Sequence, residues 1–223
     1  PSILQRWRET ERVHPTYYIG DVHGMAGPLD SLLRWIEDDA ASAGVAPRVG
    51  FLGDIVDRGP DSRACMDMVC DVIDRWPGSV LHLGNHDAWF LDVIATKGKT
   101  SSAESWVLNG GVATVESYCG GTFDPNFFDV VVGDHPRHVE AMKAASLQTR
   151  NGPFTAVHAG LDPRVPADGQ TRETLLWIRD PFLRHVDPRF GPVIHGHTPV
   201  GKRPVVTENR ISLDTGAYDT AIL

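Results

Sequence analysis

Acidic, histidine and amide side chains follow five short apolar runs of this chain. The segments that carry them are GDVHG at 20–24, GDIVDRG at 53–59, GNHD at 84–87, VHAG at 157–160 and GHT at 196–198. Carboxylate oxygens, imidazole nitrogens and an amide oxygen suit borderline divalent ions such as manganese, iron or zinc better than calcium, which prefers an all-oxygen shell. The set is too large for one ion, so the sequence predicts a centre that holds two.

Two neighbouring dications need an anionic group between them, because they repel strongly at the ~3.5–4 Å typical of two-metal sites. Asp54 is central in the order of the motifs and is the candidate for this bridge. Any single segment also has a structural explanation that involves no metal. Asp-Gly and His-Gly pairs often form turns, and a lone histidine at a strand end is usually hydrogen-bonded within the protein core. Turn chemistry gives no reason for His158 and His197, so the five segments together favour one shared site.

Short strands must position these side chains. Candidate buried strands lie at 16–20, 48–53, 79–84, 154–160, 192–196 and 210–217. Amphipathic helical patterns at 28–44 and 61–76 separate the first three, and Asp61 with Ser62 is the candidate start of the second helix. One strand-helix-strand unit fits each spacing between these motifs, which is 33 residues from Asp21 to Asp54 and 31 residues from Asp54 to Asn85. Parallel strands gather their carboxyl ends at one edge, so the pattern predicts an α/β fold with the site there.

Composition excludes several function classes. The formal net charge is −8 and the sequence pI is near 5.6, which argues against nucleic-acid and anionic-membrane partners because both require a basic face. No apolar stretch approaches the ~20 residues of a spanning helix, so we expect no membrane insertion. The charged N-terminal segment is unlike a signal peptide, and we expect a cytoplasmic protein. Three cysteines without CxxC spacing indicate neither a disulfide framework nor a thiolate zinc site.

The length of 223 residues is sufficient for one substantial core. We expect a single domain over 1–223. The strand-helix rhythm fails from about 88 to 152, and this range is predicted to be a helical insertion over one end of the sheet. The chain stops soon after DTGAY, at DTAIL.

The motifs resemble a known family. GDVHG, GDIVDRG, GNHD, HAG and GHT resemble the five-block signature of the calcineurin-like metallophosphoesterases. The DRG of the second block, WVLNGG at 106–111, LLWIR at 175–179 and NRISLDTGAY at 209–218 resemble more narrowly the phosphoprotein phosphatases, in their bacterial and phage branch of serine/threonine protein phosphatases. The fold that this resemblance implies is a four-layer α/β/β/α sandwich with mixed sheets. Relatives of this type usually continue through at least one more strand, so a further C-terminal piece is expected.

The resemblance also implies roles for individual residues. The first metal is expected on Asp21, His23 and Asp54, and the second on Asp54, Asn85, His158 and His197. The implied cofactors are two divalent ions, manganese first, with iron or zinc as alternatives. Arg58 and Arg179 are expected to bind the phosphate oxygens. His86, oriented by Asp57, is expected to protonate the leaving alcohol after attack by a metal-bridging hydroxide.

The implied activity is hydrolysis of phosphoserine and phosphothreonine, and also of small aryl phosphates, by a monomer whose partner is a phosphoprotein or a small phosphate ester. One alternative is a dinucleoside polyphosphate hydrolase, since the symmetrical enzymes share GDVHG and GNHD. They usually lack the second aspartate of the GDxxDRG block, which is present here as Asp57. Another alternative is a non-catalytic scaffold, but such members have typically lost ligands or the acid histidine, and every position is filled here.

Several other residues carry expectations. His195 precedes the GHT histidine by two residues on the same side of a strand, and hydrogen bonding in support of the ligands is favoured over direct metal binding. We expect four further histidines to be ordinary surface residues: His14, His135, His138 and His185. Trp106, Asn109, Gly110 and Gly111 fit the wall of the site and a helix-capping turn equally well.

Overall fold

Three short parallel strands form the first sheet. The computed structural model describes residues 15–187 and 189–223. In it β1 (Tyr17–Ile19), β2 (Val49–Phe51) and β3 (Val80–Leu81) lie in the order β1-β2-β3, and both pairings are parallel. Two helices connect them, α1 (Ala26–Ser42) and α2 (Ser62–Arg75). The predicted strand-helix-strand rhythm is therefore confirmed in this half of the chain.

The second sheet is mixed. Its strands are β4 (Gln148–Asn151), β5 (Phe154–Val157), β6 (Val193–His195), β7 (Val205–Val206) and β8 (Arg210–Ser212), in the order β4-β5-β6-β8-β7. The inner pairs β5-β6 and β6-β8 are parallel, whereas the edge strands β4 and β7 pair antiparallel. The three carboxyl ends of β5, β6 and β8 consequently point to the same edge.

Helices fill most of the chain between the two sheets. They are α3 (Asn85–Thr96), α4 (Ser102–Trp106), α5 (Val112–Tyr118), α6 (Phe127–Asp134) and α7 (Pro136–Lys143), with a kinked segment at Val107–Gly111 joining α4 to α5. After the second sheet has begun come α8 (Arg172–Trp177) and the short α9 (Ala217–Thr220), with single 3₁₀ turns at Ala167–Gly169 and Phe182–Arg184. Among the described residues no helix combines the length and apolarity needed to cross a bilayer.

Three clusters of buried apolar side chains lie between the layers of helices and sheets. The largest packs Phe51 of the first sheet against helical residues such as Ile36 and Met66. A second cluster, built on Leu52, Ala156 and Ile194, lies between the two sheets. Val157 and Val193 point to the other side of the second sheet, where they pack with Leu161, Leu175 and Phe182. The alternation of neighbouring strand residues between clusters confirms the predicted α/β/β/α sandwich.

The range 88–152 is not helical throughout. Its last residues, Gln148–Asn151, form the edge strand β4, which pairs antiparallel with β5 across a turn at 152–153. The segment QTRN has no apolar alternation, and its place in the sheet comes from the backbone hydrogen bonds to β5. The strand therefore gave no signal in the sequence.

Candidate active site

The carboxyl ends of strands from both sheets meet at one cavity of about 130 Å³. Eight of the ten predicted site residues line this cavity: Asp21, His23, Asp54, Arg58, Asn85, His86, Arg179 and His197. The other two, Asp57 and His158, are fully buried directly behind it, within hydrogen-bond distance of His86 and Asn85, respectively. The structure thus brings together all ten residues that the sequence had assigned to the site.

Tight backbone turns orient these side chains toward the cavity. Of the seven described non-glycine residues with positive φ, five are site residues: His23, Asp54, Asp57, Arg58 and His197. This left-handed conformation is unfavourable for L-residues and concentrates at functional sites. Two glycines make the close approach possible, because a Cβ at Gly84 would collide with the Asp54 carboxylate and one at Gly196 with that of Asp21.

Asp54 lies at the centre of the cluster. Its Oδ2 is 3.7 Å from His23 Nε2 and 3.5 Å from His158 Nε2. Two groups of possible metal ligands share it, one with His23 and His86 and the other with His158 and His197, and within each group the ligand atoms lie within 4.8 Å of one another. Burial raises the pKa of Asp54 to about 7, so an anionic Asp54 needs a cation beside it.

The tautomers of His23 and His158 show whether these side chains are suited to bind metal ions. His23 Nδ1 lies 2.9 Å from the Val56 carbonyl and His158 Nδ1 lies 2.7 Å from the Leu52 carbonyl, so each Nδ1 carries the proton. Burial holds the pKa of both rings well below the ordinary value, and both are neutral. Their Nε2 lone pairs therefore face the oxygen acceptors of Asp54, an arrangement that a bound cation satisfies. Donation of the second ring nitrogen to a carbonyl is typical of metal-ligating histidines.

Asn85 contacts both histidines of the group formed by Asp54, His158 and His197. Its Oδ1 is 2.9 Å from His158 Nε2 and 2.8 Å from His197 Nδ1. Three side chains from the GNHD, VHAG and GHT motifs thus converge on one point beside Asp54. This is the set that the sequence assigned to the second ion.

Asp21 takes a less direct position than the sequence suggests. Its two carboxylate oxygens accept the backbone N–H of His197 at 2.9 and 3.1 Å, and it belongs to neither of the two three-residue groups around Asp54. Burial raises the pKa of Asp21 well above its usual range, and the neighbouring carboxylates of Asp214 and Asp54 add to the shift. Asp214 was not anticipated as part of the site, although it stands in the DTGAY motif. Three buried carboxylates this close further fit a divalent cation centre.

His86 and Asp57 form a buried pair. His86 Nδ1 is 2.7 Å from Asp57 Oδ2, and the other oxygen, Asp57 Oδ1, accepts the Trp106 Nε1–H at 3.0 Å and the Thr114 hydroxyl at 2.7 Å. His86 Nε2 faces the cavity, where an Arg58 nitrogen lies 3.2 Å away. Burial alone would lower the pKa of His86, but the carboxylates of Asp54 and Asp57 outweigh it and the pKa lies above its ordinary value.

The supports of Asp57 were largely missed from the sequence. The backbone N–H of Asp57 donates to Ser62 Oγ at 3.1 Å and to Thr114 Oγ1 at 2.9 Å. The assignment of Ser62 to the start of a helix is confirmed, since α2 begins there, but the sequence did not show that its hydroxyl is buried against the site. Asp61, the other residue assigned to this start, is the N-cap of α2 but makes no side-chain capping bond. Thr114 gave no signal, since it lies 57 residues from Asp57 in a helix.

The WVLNGG segment forms a wall of the site. The Gly110 carbonyl accepts the backbone N–H of Arg58 at 3.1 Å, and Asn109 lines the cavity. The segment contains a kink between α4 and α5, because Asn109 and Gly110 have non-helical backbone angles and Gly110 has φ of +106°. Both interpretations left open by the sequence therefore apply, since Asn109 lines the cavity and a glycine with positive φ ends the helical run of α4.

Aromatic rings that the sequence did not assign surround the cavity. Trp89 and Trp177 both line it, with ring centroids 4.8 Å apart. Tyr218 lies under the Arg58 guanidinium, 4.6 Å from carbon to ring centroid. Arg58 is therefore held between an aromatic face and His86, whereas Arg179 is exposed at the rim.

The remaining histidines differ in their environments. His195 has both ring nitrogens engaged, Nδ1 with the Gly196 carbonyl at 2.9 Å and Nε2 with Ser212 Oγ at 2.7 Å, which leaves no lone pair for a metal. His138 is 2% exposed, so its assignment to the surface is wrong; Tyr118 and Asp67 bind its two nitrogens. His135 and His185 are half-buried, and His14 lies outside the described residues.

Comparisons with known proteins show that this chain is similar to phosphoesterases. The family model of the calcineurin-like phosphoesterases matches residues 14–215. Serine/threonine-protein phosphatase 1 of Salmonella typhimurium is 25% identical over 233 residues, which cover 97% of this chain and 93% of that protein. A symmetrical bis(5'-nucleosyl)-tetraphosphatase of Methylococcus capsulatus is 30% identical over 153 residues, 68% of this chain and 45% of that protein. In fold, the chain is similar to a serine/threonine phosphatase from Saccharomyces cerevisiae, with a TM-score of 0.55, 16% identity and coverage of 89% and 66% of the two chains.

Proposed function

The chain belongs to the calcineurin-like phosphoesterase family, and we propose that it is a binuclear metal-dependent phosphatase acting on phosphoserine and phosphothreonine, and on aryl phosphates. Asp21, His23 and Asp54 would hold one ion, and Asp54, Asn85, His158 and His197 the other. We propose manganese for both, with iron or zinc as alternatives that tolerate the same nitrogen and oxygen ligands. When bound, such ions supply a water-derived nucleophile at neutral pH and neutralise phosphate charge.

The observation that carries the proposal is the buried pair of His86 and Asp57. An alkoxide released from a serine or threonine ester is a strong base, and its departure is accelerated when a positioned acid donates a proton. Asp57 Oδ2 holds His86 Nδ1 at 2.7 Å, so Nε2 faces the cavity and would carry the proton for transfer when the ring is protonated. A diphosphate leaves as a weak base and needs no such acid. The pair therefore favours an alcohol leaving group.

Two arginines suit the phosphate itself. Arg58 and Arg179 both line the cavity, and planar guanidinium groups bind phosphate oxygens in a bidentate manner. A volume of about 130 Å³ is below the range of pockets that bury whole drug-sized ligands. We infer that only the phosphoryl group enters and that the rest of the substrate stays at the rim formed by Trp89 and Trp177.

Hydrolysis of dinucleoside polyphosphates is the second candidate. The relative from Methylococcus capsulatus favours it, and so does the pair of tryptophans at the rim, because nucleobases stack on aromatic rings. The His86 and Asp57 pair weighs against it, for the reason given above.

A side-by-side assay separates the candidates. With added Mn²⁺, we expect the purified protein to hydrolyse a phosphothreonine peptide and p-nitrophenyl phosphate with higher kcat/KM than diadenosine tetraphosphate. A preference of 100-fold or more for the dinucleotide, ~2.7 kcal/mol in transition-state stabilisation, would overturn the proposal. A protein that binds no metal and turns over none of the three substrates would instead be a scaffold.

A further inference from the structure

A further group of metal-type ligands, apart from the two groups around Asp54, lies in the helical layer. Asp67 of α2, His135 between α6 and α7, and His138 of α7 each offer one ligand atom, and these atoms lie within 4.8 Å of one another. None of the three residues lines the catalytic cavity. The group is therefore separate from the ligands assigned to the two ions of the proposed catalytic centre.

The geometry around His138 is that of a ligand held in one orientation. His138 Nε2 lies 2.9 Å from Asp67 Oδ1, and its Nδ1 lies 2.8 Å from the Tyr118 hydroxyl. Without an ion, His138 Nε2–H donates to the Asp67 carboxylate and the Tyr118 hydroxyl donates to Nδ1. A bound cation would displace the Nε2 proton, and the tyrosine hydroxyl can then accept a proton from Nδ1. The ring of His135 stacks on that of His138, with centroids 5.1 Å apart and planes 18° from parallel. Two imidazoles and one carboxylate thus converge, and the tyrosine fixes one of the rings.

Access and charge at this position both suit a cation. The Asp67 side chain is 49% exposed, and His135 is half-buried, so an ion can enter from solvent. The adjacent Arg137 is paired with Asp71 and Asp74 at 2.8 and 2.7 Å, which neutralises it. Arg63 approaches Asp67 only to 4.0 Å.

We propose that Asp67, His135 and His138 bind one divalent transition-metal ion of the zinc type, separate from the two ions of the catalytic centre. Two histidines and a carboxylate with water in the remaining position are a common zinc ligand set. The two histidines lie three positions apart where α7 begins, and Pro136 at its first turn fixes their relative placement.

The site is linked to the catalytic pair through two helices. Asp67 lies on α2, which begins at Ser62, and Tyr118 ends α5, which carries Thr114. Ser62 and Thr114 are the residues that hold the Asp57 backbone. An ion that joins α2 to α7 would stabilise the helices on which the orientation of Asp57 depends.

The test counts zinc by elemental analysis after equilibration with Zn²⁺ and removal of unbound metal. We expect His135→Asn and Asp67→Asn to hold about one Zn²⁺ fewer per chain than the wild type. His185→Asn, at a half-buried histidine outside the group, is the matched control and should bind as the wild type does. Equal zinc content in all four proteins would overturn the proposal. Because the readout is a difference between variants, it is independent of how many ions the catalytic centre holds.

A further variant separates a built site from casual binding by exposed side chains. Tyr118→Phe removes the hydroxyl that orients His138 and leaves all three ligands in place. We expect it to weaken the affinity for this Zn²⁺ by ~10-fold or more, the usual effect of removing a partner that orients a ligand. An unchanged affinity, measured by competition with a chromophoric chelator, would contradict the assigned geometry.

Discussion

Replacing His86 with asparagine is expected to slow the hydrolysis of a phosphothreonine peptide by ~10²–10⁴-fold, the usual contribution of a positioned general acid. The same change should slow p-nitrophenyl phosphate hydrolysis much less, because nitrophenolate is a weak base that departs without a proton. The physical reason is the placement of His86 Nε2 at the cavity, fixed by the 2.7 Å contact of Nδ1 with Asp57. Steady-state kcat/KM for both substrates measures the effect.

Metal content is the control for this variant. His86 is outside the set assigned to the ions, so His86→Asn should retain the metal content of the wild type. Equal slowing of the two substrates at unchanged metal content would count against the acid role. His185→Asn provides a matched substitution of a histidine away from the cavity and should leave both rates unchanged.

Replacing Asp54 with asparagine is expected to remove both ions of the catalytic centre together. Asp54 Oδ2 is near His23 Nε2 on one side and His158 Nε2 on the other, at 3.7 and 3.5 Å. Asparagine keeps the shape but removes the negative charge that offsets repulsion between the cations. We expect affinity for both ions to fall by at least ~100-fold, beyond the usual effect of altering an outer partner, with hydrolysis of both substrates lost in parallel.

Elemental analysis of the Mn²⁺-equilibrated protein checks this expectation. Asp129→Asn is the matched control, because the Asp129 side chain is 77% exposed and pairs only with Lys97 among the ion pairs of the described residues. It should keep the metal content of the wild type. Loss of one ion alone in Asp54→Asn would mean that Asp54 does not bridge, and the assignment of ligands to two ions would fail.

The sequence predicted most of the strands and their end residues for a simple reason. A buried strand needs an apolar run, and the residues that follow it at the carboxyl edge face the same space in an α/β sheet. All six candidate runs contain a strand, and the ten site residues lie around one cavity. These features are local in sequence, so a pattern of a few residues is enough to reveal them.

The missed residues act through contacts that no local pattern shows. Thr114 holds Asp57 across 57 residues of chain and would pass for an ordinary helical residue. Trp106 was a candidate for the wall of the site, but its hydrogen bond to Asp57, 49 residues away, was not predicted. His138 was assigned to the surface because its buried position depends on α7 packing its ring against Tyr118. The polar strand β4 is defined by its hydrogen bonds to β5 rather than by its residue types. In each case tertiary packing, rather than local preference, determines the role.

Metal-dependent catalysis is tested most simply by hydrolysis of a phosphothreonine peptide by protein stripped of metal with a chelator, before and after Mn²⁺ is restored. The ligand set around Asp54 predicts no turnover in the stripped protein and recovery of activity as Mn²⁺ occupies the centre. Turnover that persists without metal would contradict a binuclear metal-dependent phosphatase. A lack of turnover when two Mn²⁺ per chain are bound would contradict it as well.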